Sequence, residues 1–390
     1  MSMPALSSAI PSSRVNTPSP ILDVREVADR ATLVAMEREW NTLVLATSPE
    51  PFYRHEYIRS FVDNFLPGAP LKILTAREAN GRLAAVLPLV AERGRVCGIN
   101  LRQLASPTNV HSFRFDLIAE NGDAAAAALW PHLAADRSWD VVKIADVPDG
   151  GKAWQLYRCA QAAGFPVGAW EAQRSPRVVL PSSYNKLMLG LRPKFKANLR
   201  RRRKRLEEQG MVTVERVAGA SLLPRHLEEC LALERSGWKG RGGSAVSQSP
   251  AVHGFHSDLL RTGTFRHQLS LFVLRLDGRP IAFHYGLVSC GVYSLVMTSY
   301  DEAFKELSPG QLLTEEVLKD SIVRGLREFD FLGCDLPWKL EWTATVRRHH
   351  WLFIFRDSLL GRALCHVKFG WVTAARERLG RWRKRGGGTS

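Results

Sequence analysis

Cysteine is sparse in this 390-residue chain, and its placement argues against a metal site. The six cysteines stand far apart in sequence, at positions 97, 159, 230, 290, 334 and 365. No C-x-x-C pair or zinc-type spacing occurs, and neither His253-x-x-His256 nor His349-His350 has a third ligand nearby. The chain is therefore expected to bind no metal and to work in a reducing compartment.

Long apolar runs are also missing. No uninterrupted apolar stretch reaches about 18 residues, so no membrane span is predicted. Residues 1–20 are rich in Ser and Pro and lack the apolar core of a signal peptide, which favours a disordered lead-in. The expected location is the cytoplasm, with the inner face of the membrane as a candidate peripheral site. No G-x-S-x-G motif is present, which disfavours a covalent intermediate.

The strongest pattern runs from Gln268 to Trp342. Two short turns, Asp277-Gly278 and Cys290-Gly291, separate β-rich runs at 268–276, 280–289 and 292–300. Such links predict an antiparallel meander. A helical pattern then begins at 308–311 and ends at Gly325, and residues 329–333 predict another strand.

The start of this helix, Ser308-Pro309-Gly310-Gln311, has the composition of an anion site. Ser308 is expected to cap the helix and Pro309 to occupy its first position. The backbone N–H groups that follow would then face a phosphate, and Gly310 would let it approach closely. An ordinary helix cap without a ligand is the alternative.

The order of elements before residue 181 resembles the order after it. Each part predicts a turn-linked strand pair, another strand, a helix and a strand, which indicates two copies of one α/β unit. The predicted fold is α/β, with two tandem domains that each hold a mixed, mostly antiparallel sheet flanked by helices. The domains are placed at 21–181 and 182–355, and a basic amphipathic helix with a tail at 356–390.

Nearly all of the net charge of +16 comes from two short segments. Residues 186–210 hold 10 basic and 2 acidic residues, and residues 356–390 hold 9 and 2. The first segment predicts a cationic helix at 193–209, whose anionic partner could be a CoA phosphate, a saccharide or lipid surface, or RNA; a helix neutralised only by solvent ions is the alternative. Stacking aromatics are missing there, so specific nucleic-acid binding is not expected. The second segment could lie on an anionic membrane surface or dock on the core.

A glycine-rich loop at 236–244 carries Trp238, Lys239 and Arg241. Glycines permit a close approach of the backbone to a ligand, and an indole can stack on a sugar or an adenine. These residues are candidates for substrate binding, although a surface loop anchored by its tryptophan fits equally well.

Several motifs occur in an order that resembles a known family. They are the segment 233–240 (Leu-Glu-x-x-Gly-Trp-Lys-Gly), Tyr300-Asp301, Ser308-Pro-Gly-x-Leu-Leu313, Phe329-Asp-Phe-Leu-Gly333 and Trp338-Lys339. The chain is similar, over about residues 35–350, to the GNAT-related acetyltransferases of the cellulose-biosynthesis (CelD/BcsL) type, distant relatives of the FemAB aminoacyl transferases. The resemblance implies two GNAT-like domains, an acyl-CoA donor, and an acceptor from exopolysaccharide or cell-surface glycan synthesis. The family often has Tyr where this chain has Trp338.

Direct acyl transfer needs a base, an acid for the departing thiolate and N–H groups for the carbonyl oxygen. We expect Gly310, Gln311 and Leu312 to hold the CoA pyrophosphate, with Ser308 at the corner and Thr298 on the strand that faces the thioester. His284 is the candidate base, because its unperturbed pKa lies near working pH, and Tyr300 is the candidate acid. Asp301, Asp335 and Lys339 are candidates to orient the acceptor or stabilise charge.

Three functions remain open from the sequence. The first is an acyl-CoA-dependent N- or O-acyltransferase, expected to transfer acetyl, acting on a saccharide or envelope precursor. The second is a FemAB-like transferase that uses aminoacyl-tRNA, with the 200–205 run along the RNA phosphates. The third is a non-catalytic adaptor of a polysaccharide-synthesis complex.

Overall fold

A computed structural model describes residues 21–47, 50–236 and 249–371. The predicted lead-in at 1–20, the residues Trp238, Lys239 and Arg241, and the tail from 372 lie outside the described residues. None of the helices within these three ranges combines the length and apolarity that a membrane crossing needs.

The first half alternates strands and helices as far as residue 179. Its elements are β1 (Asp23–Val27), α1 (Arg30–Ala35), α2 (Glu37–Thr47), α3 (His55–Phe65), β2 (Leu71–Arg77), β3 (Leu83–Val96), β4 (Ile99–Ala105), β5 (Ile118–Ala119), α4 (Gly122–Ala135), β6 (Val141–Pro148), α5 (Ala153–Ala162) and β7 (Val167–Val179).

The second half begins with two helices and repeats the plan. Its elements are α6 (Tyr184–Gly190), α7 (Pro193–Glu207), β8 (Val212–Ala218), α8 (Pro224–Ser236), α9 (Pro250–Arg261), α10 (Gly263–Arg266), β9 (Leu269–Leu276), β10 (Arg279–Ser289), β11 (Val292–Tyr300), α11 (Pro309–Val323), β12 (Glu328–Asp330), α12 (Pro337–Leu340), β13 (Val346–Phe355) and α13 (Leu359–His366).

The predicted duplication of a mixed α/β unit is confirmed. Strands β1 to β4 form an antiparallel run, and β4 then pairs in parallel with β6 after the crossover through α4. In the second half, β8 to β11 form the same kind of run, and β11 pairs in parallel with β12 after α11. A parallel pair needs such a crossover, which explains why each unit places a helix at this point.

One strand crosses between the halves. The overall strand order is β1-β2-β3-β4-β6-β13-β7-β12-β11-β10-β9-β8. Thus β13, which comes last in sequence, lies between β6 and β7 in the sheet of the first half. The division at 181/182 stays a prediction, but the segment 346–355 that it assigns to the second domain completes the sheet of the first.

The two halves also share an apolar core. Tyr57 of α3 packs edge to face on Phe255 of α9, with 5.1 Å between ring centroids. Nearby, the Asn64 amide donates a hydrogen bond of 2.8 Å to Asp258. Since buried aromatic contacts join α3 to α9, the halves are held together by packing as well as by β13.

The structure corrects two local predictions. In the first unit, the strand expected directly before the helix is only two residues long, Ile118 and Ala119, and Phe113 ahead of it has a left-handed backbone (φ 60°). Ser308 does not cap α11 through its side chain. Its backbone is left-handed (φ 48°, ψ 56°), and its hydroxyl donates instead to the carbonyl of Lys305 at 3.4 Å.

Candidate active site

A cavity opens where β11 and β12 diverge. The strands pair in parallel over only three residue pairs, the last being Ser294 with Asp330. Beyond that point β11 and the segment after β12 separate around a cavity of about 440 Å³. Its walls are formed by residues 295–300 of β11, residues 331–333 after β12, and a set from elsewhere: Val110, His111, Phe113, His256, His284, Lys305, Ser308, Gly310, Gln311, Leu336, Trp338 and Lys339.

The backbone of β11 turns polar groups toward this cavity. Asp301 donates its N–H to the carbonyl of Ile281 at 2.8 Å, so this residue faces β10. Because successive residues of an antiparallel strand point their N–H and C=O groups to alternate sides, those of Tyr300 and Thr298 point toward the diverging side. Both residues line the cavity, as the sequence predicted for a strand that presents backbone groups to a ligand.

The first turn of α11 meets the mouth of the cavity. The carbonyl of Ser308 accepts hydrogen bonds from the N–H groups of Gln311 (2.9 Å) and Leu312 (3.2 Å). These two donors are therefore engaged, and the side chain of Leu312 is buried in the core instead of lining the cavity. The phosphate contact of Leu312 therefore stays a prediction, and within the described part of the chain the Gly310 N–H of this turn donates to no protein acceptor.

Gly310 leaves space for a ligand. A Cβ atom at this position would meet only the ring of Tyr300, at 3.8 Å. Contacts within the described residues therefore do not require glycine at this position. An anion at this N-terminus would be stabilised by the helix dipole and by the Gly310 N–H.

Gln311 fixes the rim between α11 and the segment around α12. Its amide donates to the carbonyl of Trp338 at 3.1 Å, and its oxygen accepts from the indole N–H of Trp342 at 2.5 Å. Trp342 in turn packs edge to face on Phe195 of α7, with 4.9 Å between centroids. The cationic helix α7 therefore begins beside the cavity mouth.

Lys339 is a buried cation in the cavity wall, 7% exposed. Its amino group donates to the carbonyls of Leu332 (2.6 Å) and Phe331 (3.3 Å). Leu332 and Gly333 both have left-handed backbones (φ 49° and 58°), which present these carbonyls to the amino group. The local turn thus orients a positive charge toward the ligand space.

His284 is placed differently from the general base that its type suggested. Its side chain is fully buried under the first turn of α11, where Nε2 lies 3.5 Å from the Thr314 hydroxyl. Burial lowers the pKa of His284 to about 3, although the Gly310 carbonyl favours the protonated form. An imidazole whose pKa is this low is a weak base near neutral pH, so the role of His284 as direct base stays a prediction, while its contact with Thr314 supports α11.

Asp301 and Asp335 do not line the cavity. Asp301 instead forms an ion pair with Arg279, and its carboxylate accepts from the Ala303 N–H at 3.0 Å. It therefore holds the turn at Glu302–Leu307, while the role of Asp301 and Asp335 in orienting the acceptor or stabilising charge stays a prediction. From the catalytic set the structure brings His284, Tyr300 and Lys339 to the cavity wall, with Thr298, Ser308, Gly310 and Gln311 from the cofactor set.

Sequence reasoning missed the wall that the first half contributes. Val110, His111 and Phe113 follow β4, and His111 stacks on Phe65 with 5.6 Å between ring centroids. The Tyr57 hydroxyl donates to the His111 carbonyl at 2.5 Å, which fixes this loop. His256 of α9 adds a second unpredicted histidine. The sequence signal that could have found these residues is their position, because this loop follows β4, the strand of the first unit that corresponds to β11 in the second.

A buried ion network supports the cavity from below. Asp330 is fully buried and pairs with both Arg114 and Arg347. Although burial opposes ionisation, the charges of Arg114 and Arg347 hold the pKa of Asp330 below its ordinary value. Its carboxylate also accepts from the Leu332 N–H at 2.8 Å, and so fixes the turn whose carbonyls bind Lys339.

The site has the parts that direct acyl transfer requires. It combines a helix N-terminus for an anionic group, strand backbone for hydrogen bonds, a buried cation and a phenol beside an enclosed space. No cluster of potential metal ligands occurs within the described residues.

The comparisons with known proteins agree with this arrangement. Residues 193–340 match the family model of the acetyltransferase (GNAT) domain. This GNAT match covers α7, the meander, α11 and the cavity wall through Lys339. The match supports an acyltransferase activity for this chain. No curated protein matches the chain.

Solved structures share the fold over both halves. FemX aligns with 11% identity and a TM-score of 0.55, over 86% of this chain and 98% of that one. The C-terminal domain of a putative lysylphosphatidylglycerol synthetase from Agrobacterium fabrum aligns with 13% identity and a TM-score of 0.52, over 87% and 98%. L-PGS from Bacillus licheniformis aligns with 11% identity and a TM-score of 0.50, over 85% of this chain and 95% of that one. The chain therefore has the tandem GNAT-like fold along most of its length.

Proposed function

We propose that the protein transfers an acyl group directly from acyl-CoA to a hydroxyl or amine of a saccharide or cell-envelope precursor. The observation that carries this proposal is the cavity between β11 and β12, which begins at the N-terminus of α11. The Gly310 N–H and the helix dipole would bind the CoA pyrophosphate, and Ser308 and Gln311 would flank it. Lys305, which lies at the same rim, supplies a cation.

The reactive carbonyl lies deeper in this proposal, beside β11. The acceptor's lone pair attacks the thioester carbon, and the N–H groups that β11 turns toward the cavity stabilise the oxygen that becomes negative. The C–S bond then breaks, and Tyr300 gives its proton to the thiolate sulfur. Lys339, held by two carbonyls, stabilises negative charge or orients the acceptor.

The proton of the acceptor needs a base other than His284. His111 is the better candidate, because it lines the cavity and is only partly buried. It reaches the space from the first half, opposite the α11 side. An acceptor that enters between the halves would thus meet a base on one side and the thioester on the other.

The acceptor class rests on the resemblance to the cellulose-biosynthesis acetyltransferases. A cytoplasmic site of action, with contact to the inner membrane face, fits precursors that are assembled there. This assignment concerns the substrate alone, and the donor can be tested without it.

The donor is tested by thermal shift of the purified full-length protein with CoA and acetyl-CoA, followed by thiol release in the presence of amino-sugar and sugar acceptors. Stabilisation by CoA that Gly310→Asp abolishes is the expected result. A matched control is Gly263→Asp, since a Cβ at Gly263 meets no atom within 4 Å and this residue does not line the cavity. Absence of any CoA-induced shift in the wild type would contradict the acyl-CoA donor.

A second candidate donor, aminoacyl-tRNA, is favoured by the surface of α7. Arg203 alone on this helix has carboxylate partners, Glu315 and Glu316, within the described residues. The other cations of residues 192–205 have no carboxylate partner within the described residues. They are Arg192, Lys194, Lys196, Arg200, Arg201, Arg202, Lys204 and Arg205. Phosphates of RNA would neutralise such a row, and α7 starts beside the cavity mouth.

RNA binding has its own signature. If α7 holds RNA, affinity for tRNA falls steeply with salt, and Arg200→Ala together with Arg201→Ala reduces the slope of log K against log salt by about 2. Arg235→Ala, on α8, serves as the control. Weak binding with no change in slope would exclude this donor.

A further inference from the structure

The cavity passes through the sheet from one face to the other. Leu295 and Phe331 belong to the core on the side of α7 and α11, whereas Met297 and Leu332 belong to the core shared with α3 and α9. Because all four residues line the same cavity, the space continues between the diverging strands. A ligand bound at α11 can therefore extend to the far side.

The far side is mainly apolar, although His111 and Ser299 also line it. Its walls include Val110, Phe113, Val296, Met297 and Leu332. His256 lies among them, but it is 2% exposed, and burial lowers its pKa to about 3, so it carries no charge near neutral pH. The cations Lys305 and Lys339 come from the segments around α11 and α12, and no described carboxylate lines the cavity.

The size of the space exceeds what an acetyl group fills. At about 440 Å³ it falls within the range of pockets that enclose whole small-molecule ligands. A sugar would find few hydrogen-bond partners on the far side, where the polar lining side chains are His111, His256 and Ser299, so most of its hydroxyl groups would be buried unpaired. A hydrocarbon chain would instead gain from every methylene that it buries.

We propose that the acyl group of the donor is an aliphatic chain longer than acetyl, which passes between β11 and β12 and lies against Val296, Met297, Leu332 and Phe113. The proposal rests on the proposed acyl-CoA donor, and it replaces acetyl with a longer chain as the transferred group. The saccharide acceptor then meets the thioester at the carbonyl end and does not occupy the apolar space.

The test uses unreactive S-alkyl-CoA thioethers from ethyl to dodecyl, with binding to the full-length protein measured by calorimetry. Burial of one methylene corresponds to roughly a fourfold gain in affinity. The dissociation constant is therefore expected to fall about 15-fold from S-ethyl-CoA to S-butyl-CoA, and to level off when the chain fills the cavity. Long-chain alcohols without CoA show whether the space takes a chain from another source.

Substitutions in the far wall locate the chain. Met297→Trp is expected to weaken S-octyl-CoA binding at least tenfold more than S-ethyl-CoA binding, and Val296→Phe provides a milder version if the tryptophan impairs folding. If CoA binds but chain length has no effect, or S-ethyl-CoA binds best, the proposal is wrong while the acyl-CoA donor stands. If CoA itself does not bind, both fail. Binding of octanol alone, with no gain from linking it to CoA, assigns the space to the acceptor and also overturns the proposal.

Discussion

The amino group of Lys339 lies 2.6 Å from the carbonyl oxygen of Leu332, a residue with a left-handed backbone. This contact joins the cavity wall to the ion network beneath it, because the Leu332 N–H is bound in turn by Asp330. The position of the buried cation therefore depends on residues that do not touch the ligand space.

Lys339→Met should reduce turnover strongly. Loss of one preorganised donor near a developing negative charge typically lowers kcat by about 10²- to 10³-fold. Steady-state kinetics with the best donor and acceptor give the measurement, and Lys319→Met, on the surface of α11, is the control. Equal kcat values for the two variants would remove Lys339 from the reaction.

Gly310→Ala separates binding from folding. The new methyl group meets only the ring of Tyr300, at an ordinary contact distance of 3.8 Å, so the free energy of unfolding should stay within about 0.5 kcal/mol of the wild type. It would occupy the place of a closely approaching ligand, so donor affinity should fall. Chemical denaturation and calorimetry measure the two effects, and a variant that binds the donor normally would show that no ligand approaches this glycine.

Asp330→Asn should destabilise the protein by about 1–3 kcal/mol, because it removes the buried carboxylate that Arg114 and Arg347 share and leaves Arg114 with Glu50 and Arg347 with Glu328. The pKa of Asp330 is lowered in the folded state, so its contribution is present above the unfolded value near pH 4 and is lost as the pH falls further. The difference between variant and wild type should therefore shrink in acid. Denaturation at pH 7 and pH 3 tests this, with Asp320→Asn on the α11 surface as the control.

Asp146→Asn should stabilise the protein at neutral pH. Burial raises the pKa of Asp146 to about 6, so its folded-state stability is greatest below pH 4 and is lost as the pH rises through 6. Asparagine tolerates the left-handed backbone (φ 59°) and can still accept from the Trp351 indole. We expect a gain of about 1–3 kcal/mol at pH 8 that disappears near pH 4. A gain at pH 4 as large as at pH 8 would contradict this cause.

His284→Gln should alter the acid sensitivity of folding more than the pH profile of catalysis. Because the folded pKa is lowered to about 3, the unfolded chain takes up this proton first, and stability is lost as the pH falls below about 6.5. The variant should lose less stability between pH 6.5 and pH 5 than the wild type does. An inflection in kcat/KM near pH 6.5 that the substitution abolishes would restore His284 as a base.

The meander and α11 could be predicted because their signals are local. Turns at Asp277-Gly278 and Cys290-Gly291 set strand lengths, and Pro309 marks the first turn of a helix. The conformation of Ser308 could not be predicted, since its left-handed backbone is fixed by the preceding turn and not by its own propensity. Serine normally caps helices through its side chain, so this local rule wrongly predicted a side-chain cap at Ser308.

The cavity itself was predictable only in part. Tyr300, Gly310 and Lys339 come from one continuous stretch, whereas His111 and His256 reach the cavity through packing of α3 against α9. Burial also changed the chemistry of His284, because a residue type indicates a pKa only for a solvated side chain. Distant contacts and desolvation are both properties of the folded chain.

The insertion of β13 between β6 and β7 imposes an order on biosynthesis. The amino-terminal sheet cannot close until a segment translated some 170 residues after β7 has emerged from the ribosome. Until then, β6 and β7 have edges that lack their native neighbour, and a nascent chain stalled before residue 346 would expose them to chaperones or to unproductive pairing.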